Sequence, residues 1–175
     1  MKGVTLNLVC GEPGVGKSRV AKHIAKQEQT VRLATDEIRK ELFGPEPSYT
    51  RKESEKTYNK MFERAMGWLI DGVSVVLDAT FMLAKGRQRA IELSNKYGVS
   101  TEIYRVTCEP ATTKSRIRER QQEGSTESDA GIEVYQSIRD RFEPVKGEYH
   151  TIDNSGSWSE TVEQLEQIEY NKRID

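Results

Sequence analysis

The sequence predicts an α/β protein built on a parallel sheet, and two observations carry that prediction. Short apolar runs alternate with stretches of helical spacing along the whole chain, the pattern of strands joined by right-handed helical crossovers. The first apolar run, residues 4–10, leads directly into Gly11-Glu12-Pro13-Gly14-Val15-Gly16-Lys17-Ser18, after which helical spacing begins. Strand, glycine-rich loop and helix in that order are the setting in which G-x-x-x-x-G-K-[ST], the P-loop, binds phosphate.

Each element has its own signal. Residues 4–10 read as a buried strand, and 17–29 as a helix with Val20, Ala21, Ile24 and Ala25 on one face. Residues 30–34 are a second short strand. Thr35 then reads as a helix cap with Asp36 and Glu37 in the first turn, and Gly44-Pro45-Glu46-Pro47 stops that helix. Over 50–70, Tyr58, Met61, Phe62, Ala65, Trp68 and Leu69 recur at helical spacing and are expected in the core. Asp71-Gly72 ends this helix, and 73–77 is a strand closing on Asp78. A helix over 83–97 is closed by Gly98, and 100–107 is a fourth strand. A basic helix covers 110–122, with a loop at 124–128. The next helix carries Tyr135, Ile138 and Phe142 and stops before Pro144. Residues 148–152 are a last strand. Ser157 and Glu160 form a capping box for a terminal helix bearing Val162, Leu165 and Ile168. With no repeat or linker, residues 1–175 read as one domain, as the length suggests.

Composition narrows the class. Charged residues are 31% and the hydrophobic set 35% of the chain, a well-solvated protein without a membrane span or a leader pattern, because residues 1–10 read as core strand. Cys10 and Cys108 both close apolar runs and are expected as reduced, buried thiols, so the protein is expected in the cytoplasm. Neither the cysteines nor His23 and His150 form a metal-ligand spacing. A net charge of -1 argues against strong non-specific nucleic-acid binding.

The chemistry converges on one edge. In a parallel sheet the ligand sits beyond the carboxyl ends of the strands, and the P-loop, Asp36, Asp78 and Cys108 all follow strands. Gly11, Pro13, Gly14, Val15, Gly16, Lys17, Ser18 and Arg19 are the expected nucleotide site. Loop amides and the helix N-terminus surround the phosphates, Lys17 adds a mobile charge, and the Ser18 hydroxyl can ligate magnesium. Asp78 resembles a Walker-B aspartate, the second expected magnesium residue. The residues after it are Ala79 and Thr80, so no carboxylate stands ready to orient a hydrolytic water. Asp36 is the candidate base for phosphoryl transfer to a hydroxyl. Arg39, one turn on, can share its face and hold a substrate anion, whereas Glu37 is expected to point away. In the basic segment, Arg116 and Arg120 share a face and Arg118 does not. Placed in a lid, such arginines neutralise charge on the moving phosphoryl group and exclude water.

These residues carry a resemblance over nearly the whole chain. Gly11 to Ser18, the run Thr35-Asp36-Glu37-Ile38-Arg39-Lys40-Glu41-Leu42-Phe43-Gly44, and Val75-Val76-Leu77-Asp78-Ala79-Thr80-Phe81 resemble the small P-loop kinases of the AAA type related to zeta toxins and polynucleotide 5'-kinases. Arg87, nine residues beyond Asp78, the Arg116–Arg120 pair and Ser128-Asp129-Ala130 also fit. The resemblance implies an adenylate-kinase-like sheet of five parallel strands with a helical lid near 112–143, and ATP with Mg2+ as donor. It also implies Asp36 as base, and Arg39 and Arg87 at the substrate. Glu12 departs from the small or neutral residue expected there and is expected to face outward. Together these readings predict an ATP-dependent kinase acting on a small-molecule or other acceptor. A polynucleotide 5'-hydroxyl kinase, a hydrolytic ATPase switch and a non-catalytic nucleotide-binding module are the alternatives. The acceptor is then a small molecule or a nucleic-acid 5' end, with no membrane and no obligate protein partner.

Overall fold

The computed structural model describes residues 3–124 and 131–174. Five strands form one sheet, β1 (Thr5–Cys10), β2 (Val31–Ala34), β3 (Val75–Asp78), β4 (Ser100–Thr107) and β5 (His150–Asp153), in the order β2-β3-β1-β4-β5. Every pairing is parallel. The helices are α1 (Lys17–Glu28), α2 (Thr35–Phe43), α3 (Arg51–Ile70), α4 (Ala84–Tyr97), α5 (Pro110–Glu123), α6 (Ile132–Arg141) and α7 (Trp158–Ile174).

Strand alternation sorts the core into two layers. Leu6, Leu8, Val75, Leu77 and Ile103 face a layer that α3 and α4 close with Met61, Phe62, Ala65 and Ala90. Val9, Val76, Tyr104, Val106 and Ile152 face the other, closed by Val20, Ala21 and Ile24 of α1 and Leu165 of α7. Central strands are thus apolar on both faces, as parallel strands covered by helices must be. Among the described residues no helix is long and apolar enough to cross a membrane.

Several boundaries differ from expectation for physical reasons. Thr35 is not a cap. β2 runs into α2 without a loop, so the extended backbone of Ala34 (φ -114°, ψ 131°) takes the cap position and Thr35 is the first helical residue. β5 starts at His150 instead of residue 148, because the glycine turn at Gly147 (φ 82°) precedes it and its register opposite β4 begins at Tyr104. Trp68 has nearly the helical phase of Met61 but lies at the edge of the buried face and stays 41% exposed, while Leu69 beside it is buried. The Ser157–Glu160 capping box forms as expected, each residue bonding the other's backbone N–H, at 3.3 and 2.6 Å. Helices α5 and α6, which cover the segment expected as a lid, pack on each other. Ser128, Asp129 and Ala130 lie outside the described residues.

Candidate active site

The P-loop joins β1 to α1 and is clamped from two sides. Gly14 (φ 83°) lies under α5, where a Cβ would come within 2.8 Å of Ile117 and 3.0 Å of Thr113. Gly16 (φ 91°) lies against Asn154, whose side-chain amide stands where a Cβ would go. That amide donates to the Val15 carbonyl at 2.8 Å, and its oxygen accepts from the Thr161 hydroxyl at 2.7 Å. Both glycines are therefore required by contact as well as by backbone conformation. Lys17 and Ser18 open α1 at the loop's mouth, and Lys17 Nζ donates to the Glu12 carbonyl at 3.4 Å. Arg19 is exposed and lies over the Trp158 ring of α7 at 4.1 Å. Sequence reasoning missed Asn154, since a lone Asn after a short strand has no signal until the chain folds it under Gly16.

Glu12 corrects the expectation of an outward side chain. It is 8% exposed and pairs with Arg105 of β4 through two bonds, at 2.6 and 2.8 Å. Its charge is thereby neutralised away from the phosphate cradle. Arg105 in turn lies 4.0 Å over the ring of Phe142, just beyond α6.

Asp36 sits in the first turn of α2, half-buried. Burial raises its carboxyl above the usual value and the Asp78 charge adds to this, while Lys17, Arg39 and Lys40 oppose it. Val9 and Ala34 both pair with Asp78, so β1, β2 and β3 end together and place the P-loop, Asp36 and Asp78 at one edge of the sheet. Asp78 is buried and its Oδ2 receives two bonds from Arg32 of β2, at 2.9 Å from Nε and 2.6 Å from Nη2. Arg32 also reaches Glu37 at 2.6 Å. Glu37 thus turns back to β2, contrary to the expectation that it points away. The sequence held no cue for Arg32, which reads as an ordinary strand residue until β2 and β3 pair.

Arg39 is buried. Its guanidinium stacks on Tyr49 at 4.8 Å, bonds Ser54 weakly at 3.4 Å, and leaves Nε buried without a hydrogen-bond partner. Arg87 is buried differently. Its two terminal nitrogens donate to the carbonyls of Phe81, Met82, Glu143 and Pro144, at 2.6 to 3.2 Å. These contacts tie the loop after β3 to the segment after α6, and they occupy the nitrogens that a substrate anion would need. Phe81 has a positive φ of 47°, and its N–H donates to the Tyr58 hydroxyl at 3.2 Å. Burial pushes that hydroxyl's pKa up to about 12, so Tyr58 is a fixed neutral acceptor.

On α5, Arg116 Nη1 lies 3.9 Å from the Cβ position of Gly16 and 3.5 Å from the half-buried Cys108 thiol. Arg120 follows one turn later, half-buried, and Arg118 faces solvent. Cys10 is fully buried beneath the loop, and burial raises its thiol to about 11, a protonated, unreactive group. Among the described residues no three His, Cys, Asp or Glu side chains cluster as a self-contained metal cage. A hydroxyl and a carboxylate, Ser18 and Asp78, remain. Such a sparse donor set fits magnesium, which keeps waters and is shared with substrate phosphates.

Fold and site together define a P-loop nucleotide-binding protein of the adenylate-kinase-like class. Residues 6–145 match the family model described as an AAA domain, and the chain belongs to that family. Solved structures share the fold. An inferred kinase from Chloroflexus aurantiacus matches with a TM-score of 0.78 at 17% identity, covering 98% of each chain. A gluconokinase from Sinorhizobium meliloti matches with a TM-score of 0.67 at 16% identity, over 98% of this chain and 96% of that one. The APS kinase of Mycobacterium tuberculosis, solved with AMPPNP and APS, matches with a TM-score of 0.70 at 16% identity, over 98% of each chain. No curated protein matches the sequence.

Proposed function

We propose that the protein is an ATP-dependent kinase that transfers the γ-phosphoryl group to a hydroxyl of a small-molecule acceptor. One observation carries the reading. Val9, just before the P-loop, and Ala34, just before α2, both pair with Asp78, so Asp36 in the first turn of α2 stands at the same edge of the sheet as the phosphate loop. The residue after Asp78 is the buried Ala79, so no carboxylate follows the strand-end aspartate to orient a hydrolytic water. Fold relatives with small-molecule acceptors, gluconokinase and APS kinase, support the same class.

The P-loop amides and Lys17 hold the triphosphate, with Gly11, Pro13, Gly14, Val15, Gly16, Ser18 and Arg19 forming the cradle and its rim. Asp36 takes the proton of the acceptor hydroxyl as its oxygen bonds the γ-phosphorus and the bond to the β–γ bridging oxygen breaks, releasing ADP. Ser18 and Asp78 would hold magnesium, which neutralises phosphate charge when bound. Arg116, beside Gly16, stabilises the charge that spreads over the transferring group, with Arg120 behind it on the same face. The unsatisfied Nε of Arg39 favours an acceptor that carries an anionic group near its hydroxyl. Arg87 supports the site from behind through its four carbonyls.

A transfer screen with γ-labelled ATP tests this, using sugar acids, nucleosides, neutral sugars, aminoglycosides and 5'-hydroxyl oligonucleotides as acceptors. Label transfer to a small hydroxy acid is expected. Transfer to oligonucleotides alone would move the acceptor to a nucleic-acid 5' end. Steady ADP release with no labelled acceptor would overturn the kinase reading.

A further inference from the structure

We infer that Arg32 is a positioning residue that fixes the orientation of Asp78 toward magnesium, with Glu37 as its anchor. The inference rests on the reading that Asp78 serves a metal-bound nucleotide.

The sheet register makes the arrangement. Arg32 stands opposite Val76 and Ala34 opposite Asp78, so the side chains of Arg32 and Asp78 emerge on the same face, two residues apart across adjacent strands. That is the face against which α1 packs through Val20 and Ala21. The long Arg32 side chain can therefore run up the sheet surface and meet the carboxylate at its edge. Both of its bonds fall on Oδ2, at 2.9 and 2.6 Å, and Oδ1 takes neither. Glu37 holds Nη1 at 2.6 Å from the opposite side. A guanidinium is planar and rigid, so fixing it at two ends fixes the rotation of the carboxylate it grips.

Charge supplies the need for such a grip. The Asp78 side chain is 3% exposed, and the Asp36 carboxyl feels its charge directly. Without a cation between the strands, two carboxylates would repel one another in a poorly solvated site. Arg32 is only 14% exposed and belongs to β2, the strand that delivers α2 and Asp36. One side chain therefore links the element carrying the base to the element carrying the metal carboxylate. Groups that orient a ligating carboxylate commonly govern metal affinity by about 10–100-fold.

The test is binding of a fluorescent ATP analogue to the full chain, titrated with MgCl2 and repeated in EDTA. Arg32→Met should raise the Mg2+ concentration for half-maximal binding about tenfold or more, with binding in EDTA unchanged. Arg32→Lys should recover part of the shift, because an ammonium supplies the charge without the planar fork. Glu37→Gln is the second variant. Glu37 is exposed, so its loss leaves no lone buried charge, and a smaller shift in the same direction is expected. If Arg32→Met does not fold, Glu37→Gln decides alone. An unchanged or lower Mg2+ midpoint in the variants overturns the role of Arg32 while leaving the kinase reading intact. Wild-type protein whose nucleotide binding ignores Mg2+ would overturn the reading of Asp78 itself, and this role with it.

Discussion

The Asn154 side chain holds the Val15 carbonyl at 2.8 Å, so the P-loop is fastened to the end of β5 and, through Thr161, to α7. Residues far apart in sequence thus set the shape of the phosphate cradle. Asn154→Ala leaves a buried carbonyl and a buried hydroxyl without this partner, a cost of about 1–3 kcal/mol for each such group. Urea denaturation should show a lower midpoint, and nucleotide binding should weaken in parallel. Unaltered nucleotide affinity would mean the loop keeps its shape without this tie.

Asp36→Asn should reduce phosphoryl transfer by about 10²–10⁴-fold, the usual cost of losing a general base, with ATP affinity retained. Single-turnover transfer and equilibrium nucleotide binding separate the two effects. Full transfer activity in this variant would remove Asp36 from the mechanism.

The same residue predicts a pH effect on stability. Its folded-state carboxyl is raised above the ordinary 3.8 by burial and by Asp78. Between those two values the folded protein keeps a proton that the unfolded chain has lost. Its contribution to stability therefore falls as pH rises through that window and stays unfavourable above it. Asp36→Asn should melt at a higher temperature than wild type at pH 7, with the advantage fading as pH drops toward 3.8. Melting curves across that range check the sign, and a lower melting temperature at pH 7 would contradict it.

Glu12 and Arg105 form a largely buried pair, with side chains 11% and 15% exposed. Removing one partner strands the other, and such a loss costs about 3–5 kcal/mol for a fully buried pair; some solvent access here should reduce it. The double variant Glu12→Ala with Arg105→Ala should be destabilised by less than the sum of the singles. Additive losses in a double-mutant cycle would show that the pair has no coupling.

Arg87 and Arg116 should separate by what they affect. Arg87→Ala frees four backbone carbonyls and should lower the melting temperature before it changes the KM for any acceptor. Arg116→Ala should leave stability near wild type and reduce kcat by about 10²–10³, the range for losing one transition-state donor. A raised acceptor KM with normal stability in Arg87→Ala would return that residue to the substrate.

Local chemistry was enough to read most of this protein from its sequence. The P-loop, the strand–helix alternation, the capping box of α7, the first-turn position of Asp36 and the strand-end position of Asp78 depend on neighbours within a turn or a strand, so each leaves a pattern in consecutive residues. Tertiary structure alone decided the partners of long side chains. Glu12 was legible as an anomaly but not as half of an ion pair, because Arg105 lies on a strand 93 residues away. Arg32 became the companion of Asp78 only when β2 paired with β3. Arg39 and Arg87 look alike as basic residues on amphipathic helices. Folding left one with an unsatisfied nitrogen near Asp36 and tied the terminal nitrogens of the other to carbonyls. Spacing sets which face of an element a residue occupies, whereas the reach of a flexible charged side chain is settled by whatever the packed chain brings within hydrogen-bond distance.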